Sequence, residues 1–390
     1  LNSDAAPNGN FSLSSSSFVG SIDNVSVKEY TTANIPRIDY TNGCGQLLLE
    51  PQRTNLITQS EDFSDSSWLK LENGTGLTPV ITSNYGTSPD GTVNASRVVL
   101  DASAVSSSNF SMLRTNIAGL TNPHSSSISI YLKSNTFSDY TLIWYNESLS
   151  PEEIVVTPTW QRYTLSNSSI ANTNDRLQIG LIAFGGATSS DYADFSIYGA
   201  MLELGSYPTS YIPTSGTTVT RLQDTSTTTG LTSVIGQTEG TFHVKFTKDN
   251  IDYYRMMTLW GGVSNRLIIY TLGDNLKVFC TSGGVNQFDL VVSSAIGSGT
   301  FNVAFAYKAN DFKVYVNGVS VYTNTSASVP ISLNDLLFAQ TDTGNLAFNH
   351  RVDAVTLFKT RLTNEQLTDL TGTVHTSFNS LALSLGYTIV

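Results

Sequence analysis

Several aromatic side chains of this sequence are placed where their rings could bind a ligand. Each adjoins a second aromatic residue or a glycine pair: Trp144, Tyr145, Tyr253, Tyr254 and Trp260. Because successive side chains of a β-strand point to opposite faces, two adjacent rings cannot both enter the same core. An exposed ring can stack on the apolar side of a sugar, so these residues are the predicted carbohydrate-binding residues. The alternative for each ring is packing in a core or an interface.

The acidic and histidine side chains form no pattern that predicts catalysis. Glycoside hydrolysis needs two carboxylates that face one cleft, whereas the members of Glu61-Asp62 and of Glu152-Glu153 would point apart on a strand. The four histidines lack the spacing of a zinc site. We therefore predict no enzymatic activity, although the many serines leave a Ser-His-Asp arrangement open. His243 alternates outward from a strand and is predicted to be solvated.

The composition argues against several classes of partner. The chain of 390 residues has a formal net charge of −11, and an acidic surface repels nucleic acid and anionic membranes. No apolar run approaches the ~18 residues that a membrane-spanning helix needs. The two cysteines, Cys44 and Cys280, are too few for a disulfide scaffold. We expect Cys280 to be a small buried residue, with a bridge between the two cysteines as the alternative.

Short alternating apolar patterns, separated by Gly, Asn and Ser, run through the chain and predict an all-β fold. Two such patterns flank Asn317-Gly318, a pair that favours a type I′ hairpin turn. One short helix is predicted after Thr363, which can form a capping box with Gln366. The predicted architecture is therefore a series of antiparallel β-sandwiches with one short capping helix.

Prolines and changes in composition divide the chain into five segments. Residues 1–30 contain the closing strand (21–30) of an upstream sandwich, and this strand must pair with upstream sequence or with a partner chain, because a lone strand is not stable in water. Residues 31–56 form an extended connector, and residues 57–216 and 217–372 form the two sandwiches. Residues 373–390 form an extended tail.

Segments of the connector and of both sandwiches resemble known modules. Gly45–Leu56 resembles the Gly-x-Leu-[Leu/Ile]-Glu-Pro-x-Arg-Thr-Asn-Leu segment of phage tail-fibre and related virion proteins. Thr157–Tyr163 and Met201–Thr214 resemble strands of carbohydrate-binding-module-like jelly rolls. The segments Phe312–Tyr322 and Arg361–Leu367 resemble the laminin-G or concanavalin-A-like lectin fold. The resemblance implies a jelly roll followed by a concanavalin-like sandwich.

The resemblance also implies a function. The chain is expected to be a structural virion protein of a bacteriophage, a tail or head fibre component on the particle surface that displays glycan-binding sandwiches for host attachment. Its expected partners are other virion proteins, copies of itself in a homotrimer, and a host-surface glycan. Jelly rolls of this kind often hold a structural Ca²⁺, for which the sequence offers four acidic residues: Glu61, Asp62, Asp191 and Asp194. The alternatives are a secreted bacterial carbohydrate-binding adhesin and a polysaccharide-degrading enzyme.

Overall fold

The structure is a computed structural model that describes residues 2–5, 11–14, 36–40, 43, 45–147, 151–248, 255–294, 296–339 and 348–372; of residues 2–5, 11–14 and 255 it describes the backbone alone. The predicted strand at 21–30, the tail at 373–390 and Cys44 lie outside the described residues. The described part is all-β with a single α-helix, which confirms the predicted fold class. No helix in it is long and apolar enough to cross a membrane.

The strands follow one another closely along the chain. The first half contains β1 (Asn2–Ala5), β2 (Phe11–Ser14), β3 (Arg37–Asp39), β4 (Gln46–Leu48), β5 (Arg53–Asn55), β6 (Leu69–Asn73), β7 (Leu77–Thr87), β8 (Val93–Asp101), β9 (Phe110–Ala118), β10 (His124–Ser134), β11 (Tyr140–Tyr145), β12 (Glu152–Val156), β13 (Gln161–Ile170), β14 (Asn174–Leu181), β15 (Ala183–Phe184), β16 (Ala187–Thr188) and β17 (Tyr192–Leu204). The second half contains β18 (Val219–Arg221), β19 (Thr227–Thr228), β20 (Glu239–Lys248), β21 (Arg255–Trp260), β22 (Arg266–Leu272), β23 (Asn275–Ser282), β24 (Val285–Ser294), β25 (Gly299–Lys308), β26 (Phe312–Val316), β27 (Val319–Asn324), β28 (Asp335–Leu337), β29 (Arg351–Phe358) and the helix α1 (Asn364–Gly372), with a 3₁₀ turn at Leu231–Ser233.

The first sandwich packs two five-stranded antiparallel sheets against each other. Sheet 1 has the strand order β13-β10-β17-β8-β7, and sheet 2 has the order β12-β11-β14-β9-β6. The predicted alternation of β10 is present, because Ile128, Ile130 and Leu132 all enter the core between the sheets. β14 and β11 contribute to the same core from sheet 2. The period of two therefore decides which side chains of these strands remain on the outer faces.

The second sandwich pairs a six-stranded sheet with a seven-stranded sheet. Sheet 3 has the order β19-β28-β21-β22-β23-β24, and sheet 4 has the order β27-β26-β25-β20-β29-β4-β3. Sheet 4 thus includes two strands from the connector, because β4 pairs with β29 and β3 pairs with β4. Cys280 lies in the core of this sandwich as a free thiol, and burial raises its pKa to about 12.

The predicted hairpin and helix of the second sandwich are both present. Asn317 and Gly318 have φ angles of 49° and 83°, as a type I′ turn between β26 and β27 requires. At the start of α1, Thr363 N–H donates to Gln366 Oε1 at 2.9 Å and Gln366 N–H donates to Thr363 Oγ1 at 3.2 Å. This reciprocal capping box satisfies two backbone donors that a helix start leaves unpaired.

The helix α1 covers part of the outer face of sheet 4. Leu367 and Leu370 of α1 form a small apolar cluster with Ala304 and Ala306 of β25. His243 on the neighbouring strand β20 is only 4% exposed, so the prediction that it is solvated is wrong. Its Nε2 lies 2.5 Å from Asn302 Oδ1 and therefore carries the proton of this hydrogen bond. The alternation of β20 is as predicted, but the outward side of the strand is covered.

Candidate functional site

A row of side chains crosses four strands on the outer face of sheet 2. Trp144, Ile179 and Leu113 enter the core, so the residues that precede or follow them along β11, β14 and β9 point outward. The strand registers place these outward residues directly opposite one another. We call them the Arg114 row: Tyr145, Gln178, Arg114 and Leu69.

Gln178 connects the row at its centre. Its Nε2 donates to the hydroxyl oxygen of Tyr145 at 2.6 Å and contacts Met112 Sδ at 2.8 Å. Burial raises the pKa of Tyr145, while the nearby cations Arg176 and Arg114 oppose that rise. Tyr145 is therefore an uncharged phenol at neutral pH whose hydroxyl can still donate a hydrogen bond to a ligand.

The short hairpin of β15 and β16 brings a second aromatic ring to the same face. Phe184 lies 6.0 Å from Tyr145 between ring centroids, in a stacked arrangement at 29°, and is 50% exposed. The hairpin turns at Gly185 and Gly186, whose φ angles of 63° and 91° suit glycine. Because Ala187 of β16 packs on the apolar cluster of the sheet 2 outer face, the hairpin is anchored there. Phe184 therefore presents a solvent-facing ring beside Tyr145.

The charges around the row are unequally paired. Arg176 on β14 lies 3.2 Å from Glu147 Oε2 through its Nε, and its guanidinium carbon lies 5.3 Å from the centre of the Tyr145 ring. Arg114 is partly exposed and forms no hydrogen bond or ion pair with any described residue. A guanidinium group presents five N–H donors in a planar fork. The face can therefore offer an aromatic platform, a neutral hydroxyl and an unpaired cation to one ligand.

Three of the predicted carbohydrate-binding residues can be located on the structure. Trp144 is 1% exposed in the core of the first sandwich, and Trp260 is 6% exposed, with the Arg266 guanidinium 5.9 Å from its ring centre. The prediction that these two rings are exposed is therefore wrong. Tyr145, the neighbour of Trp144, does lie on an outer face. Tyr253 and Tyr254 lie outside the described residues.

Two residues of this face were not predicted from the sequence. Phe184 carries a local signal, since an aromatic residue before Gly185-Gly186 is what a tight turn would present to solvent. Arg114 carries no such signal, because an arginine within an alternating strand pattern is an ordinary solvated residue. Only the strand register shows that it shares a row with Tyr145.

The outer face of sheet 1 is closed by internal pairs. Arg97 donates through Nε and Nη2 to both carboxylate oxygens of Asp194, at 2.9 and 2.5 Å, and Asn135 also donates to Asp194 at 2.8 Å. These hydrogen bonds hold the pKa of Asp194 below its ordinary value, and the hydrogen bond from Arg97 has the largest effect. Tyr198 of β17 donates at 2.8 Å to Asp90, which lies in the loop between β7 and β8. The carboxylates of this face are therefore already occupied by donors.

The four predicted calcium ligands have separate partners. Besides Asp194, Glu61 accepts from Tyr211 at 3.0 Å, Asp62 accepts from the Ser64 backbone at 3.0 Å, and Asp191 accepts from the Val105 backbone at 2.6 Å. Within the described ranges, no group of three or more His, Cys, Asp or Glu side chains is arranged to hold a metal ion. Calcium binding stays a prediction from the resemblance.

A buried Ser-His-Asp set exists, but its hydrogen bonds differ from those of a hydrolase. Ser126 Oγ donates to Asp175 Oδ2 at 2.5 Å, and His124 Nε2 lies 3.6 Å from the same oxygen. A nucleophilic serine would instead donate to the histidine. His124 is 7% exposed and Ser126 is fully buried. This set links β10 to β14 inside the first sandwich, and the absence of enzymatic activity stays a prediction.

No protein-family model matches the chain, and no curated protein matches it in sequence. Among solved structures it is similar to the CBM40 module of a Ruminococcus gnavus sialidase bound to α2,3-sialyllactose, with 14% identity, a TM-score of 0.31, and coverage of 36% of this chain and 86% of that chain. It is also similar to the enzymatically active domain of tailspike protein 4 from bacteriophage CBA120, with 11% identity, a TM-score of 0.28, and coverage of 39% of this chain and 21% of that one. Domains LG4-5 of the mouse laminin α1 chain match with 8% identity, a TM-score of 0.26, and coverage of 62% and 86%. Likenesses at these values do not establish function.

Proposed function

We propose that this protein binds carbohydrate on the outer face of sheet 2 and does not catalyse a reaction of it. The observation that carries the proposal is the half-exposed ring of Phe184, stacked on Tyr145 beside the hydrogen-bonding side chains of the Arg114 row. A pyranose has one apolar C–H face and a rim of hydroxyl groups, so it needs both an aromatic platform and convergent polar groups. The outer face of sheet 2 supplies both, because the rings of Phe184 and Tyr145 lie beside the polar side chains of the Arg114 row.

We further propose that the chain serves in a bacteriophage particle, as a homotrimeric tail or head fibre component that attaches the virion to its host. The Gly45–Leu56 segment supports this role by resemblance, and its polar residues link the connector to its surroundings. Asn55 Nδ2 donates to the Ala200 and Ile212 carbonyls at 3.1 and 2.8 Å, which fixes the connector to the first sandwich. A sandwich held in this way can display its face in a defined direction.

Glu50 of the same segment is tied to both sides of the connector. Its Oε1 accepts from the Ser210 backbone N–H at 2.7 Å, and its Oε2 lies 3.1 Å from Arg221 Nη1. Arg37 forms a further ion pair with Glu50. Since Glu50 is 5% exposed, these partners offset the cost of burying its charge. The motif thus has a structural role whatever the ligand is.

The carbohydrate proposal is tested by comparing two single-aromatic variants of the whole chain on an array of bacterial surface glycans. Phe184→Ala removes the ring of the proposed site. Phe137→Ala is the control, because it removes an aromatic ring that is fully exposed in the loop between β10 and β11. We expect Phe184→Ala to weaken binding of any retained glycan by about tenfold or more, since stacking contributes ~1–2 kcal/mol. Phe137→Ala should bind like the unaltered chain. Absence of any retained glycan, or equal binding by all three proteins, would contradict the proposal.

The fibre proposal is tested by the mass of the particle in solution. Sedimentation equilibrium of the whole chain should give three times the 42.1 kDa mass of one chain if it forms the expected homotrimer. A single-chain mass across a wide concentration range would favour the secreted adhesin instead. This result would leave the carbohydrate proposal standing, because the Arg114 row lies within one chain.

A further inference from the structure

We propose that the carbohydrate bound on the outer face of sheet 2 is acidic, and that Arg114 binds a carboxylate of one of its sugar units. This inference rests on the proposed function, because it names the ligand class of the same site. It depends on one side chain that the aromatic platform does not require. Its failure can therefore be separated from failure of the platform.

Arg114 differs from the other described arginines in having no partner. Seven arginines lie within ion-pair distance of a carboxylate: Arg37, Arg53, Arg97, Arg176, Arg221, Arg351 and Arg361. Arg162 donates to Ser129 and to the Thr209 carbonyl, and Arg266 lies over two aromatic rings. In a chain with a formal net charge of −11, carboxylates outnumber cations, so an arginine has ready partners. Arg114 alone among these arginines has neither a hydrogen bond, nor an ion pair, nor an aromatic ring as a partner among the described residues.

The position of Arg114 suits a ligand that also touches the aromatic pair. Arg114 is directly opposite Gln178, and Gln178 is directly opposite Tyr145, so two strand spacings separate the arginine from the tyrosine. Two spacings amount to about 10 Å, a distance that a short oligosaccharide spans. A sugar ring stacked on Phe184 could thus place a neighbouring unit over the guanidinium. The fork of an arginine binds a planar carboxylate through two parallel hydrogen bonds.

The surrounding charges do not cancel this attraction. Arg176 neutralises Glu147 at 3.2 Å, and the exposed Glu153 of β12 accepts from the Thr188 backbone at 2.8 Å and lies three strands away from Arg114. Asn116, opposite Arg176 on the same face, is exposed and uncharged, so it can bind sugar hydroxyls without repelling an anion. Because the chain as a whole has a negative net charge, an acidic ligand is attracted only when it is close to this face. Its range at physiological salt is about 8 Å.

The test uses acidic oligosaccharides and neutral counterparts of the same size. The probes are tetramers of glucuronic acid and of galacturonic acid, each compared with the product in which every carboxyl group has been reduced to a primary alcohol. Binding is measured by titration calorimetry on the whole chain. We expect at least one acidic tetramer to bind more tightly than its reduced counterpart, and this preference to shrink as salt is raised. If neither acidic tetramer binds more tightly than its counterpart, the proposal is overturned.

Variants assign the preference to one residue. Arg114→Gln keeps a polar side chain without the charge and should weaken binding of the acidic tetramer by about ten- to a hundredfold and that of the neutral one much less. Arg114→Lys keeps the charge without the fork and should fall between. Lys133→Gln is the matched control, because it removes one positive charge from the outer face of sheet 1, where Lys133 lies 5.6 Å over the Trp160 ring. Equal losses for Arg114→Gln and Lys133→Gln would reduce the effect to net charge and overturn the assignment.

Two further arms separate the remaining outcomes. Phe184→Ala should weaken binding of the acidic and the neutral tetramers alike. If Phe184→Ala leaves binding unchanged while the preference for the acidic tetramer still depends on Arg114, the proposed aromatic platform is contradicted but the role of Arg114 is not. A sulfated cellotetraose distinguishes a carboxylate site from a general anion site. If it binds as tightly as the acidic tetramer and depends equally on Arg114, the carboxylate assignment is overturned. Thermal unfolding of every variant confirms that each one folds.

Discussion

The two outer faces of the first sandwich are built alike but differ in whether their polar side chains are paired. Both are five-stranded, and both carry aromatic rings and arginines at outward positions. On sheet 1, Arg97 is held by both oxygens of Asp194, and Tyr198 is held by Asp90. On sheet 2, Arg114 has no partner among the described residues, and Phe184 is half exposed. A closed face stabilises its own sandwich, whereas an open face retains the capacity to bind something else.

The second sandwich shows a third way to complete an outer face. Sheet 4 is covered in part by α1, and His243 on the same face is buried and hydrogen-bonded to Asn302, whose amide donates to the Leu370 carbonyl of α1. Covering a polar ring removes it from water without giving it a charged partner. Polar side chains are therefore paired on the outer face of sheet 1, exposed on that of sheet 2 and buried on that of sheet 4. Each treatment has a distinct and measurable consequence.

The largest expected effect comes from the buried face. Burial lowers the pKa of His243 from 6.5 to about 4, although its hydrogen bond to Asn302 acts in the opposite direction. The folded state therefore favours the neutral ring, and this stability is fully present above pH 6.5 and is lost as the pH falls towards 4. The full difference corresponds to about 3 kcal/mol. Urea unfolding at several pH values should show that His243→Gln has a flatter dependence over this range. Parallel curves for the two proteins would contradict the assignment.

The next effect is expected on the closed face of the first sandwich. Asp194→Asn keeps the shape of the side chain but removes the charge that holds Arg97, so the free energy of unfolding should fall by about 2 kcal/mol. The estimate is set below that of a fully buried pair, because the Arg97 side chain is 34% exposed. Urea unfolding at neutral pH measures the change. A loss below about 0.5 kcal/mol would mean that the pair contributes little and that the two faces do not differ in stability.

The smallest effect is expected on the open face. Arg114→Gln removes one charge, as Asp194→Asn does, but it breaks no hydrogen bond or ion pair with a described residue. Its free energy of unfolding should therefore change by less than about 0.5 kcal/mol. The same urea titration provides the measurement, with Asp194→Asn as the matched comparison. A loss as large as that of Asp194→Asn would show that Arg114 has a structural role, and it would remove the contrast between the faces.

Local patterns predicted much of the fold. The alternation of β10 and β14, the type I′ turn at Asn317-Gly318 and the capping box at Thr363 all depend on neighbours within a few residues, so the chain specifies them directly. Catalytic and metal sites were harder to judge. The residues that would form them are far apart in sequence, and a pattern cannot show whether they meet.

The candidate site shows this limit in detail. The aromatic pair at 144 and 145 correctly predicts that one ring enters the core and the other does not, because of the period of two. Which ring is which depends on the sheet that packs against β11. Arg97 and Asp194 are 97 residues apart, so their pairing also depends on how β8 and β17 are brought together.

The sequence by itself determined that this protein is an all-β chain of serial sandwiches with one capped helix, because those features follow from side-chain period, turn residues and capping residues. Only the tertiary structure decided which polar groups were paired, buried or left free. His243 is buried on the face that α1 partly covers, Asp194 is paired with Arg97, and Arg114 has no partner among the described residues, two strands away from Tyr145. The physical reason is that a strand sets the direction of a side chain, whereas the elements packed around it set its partners.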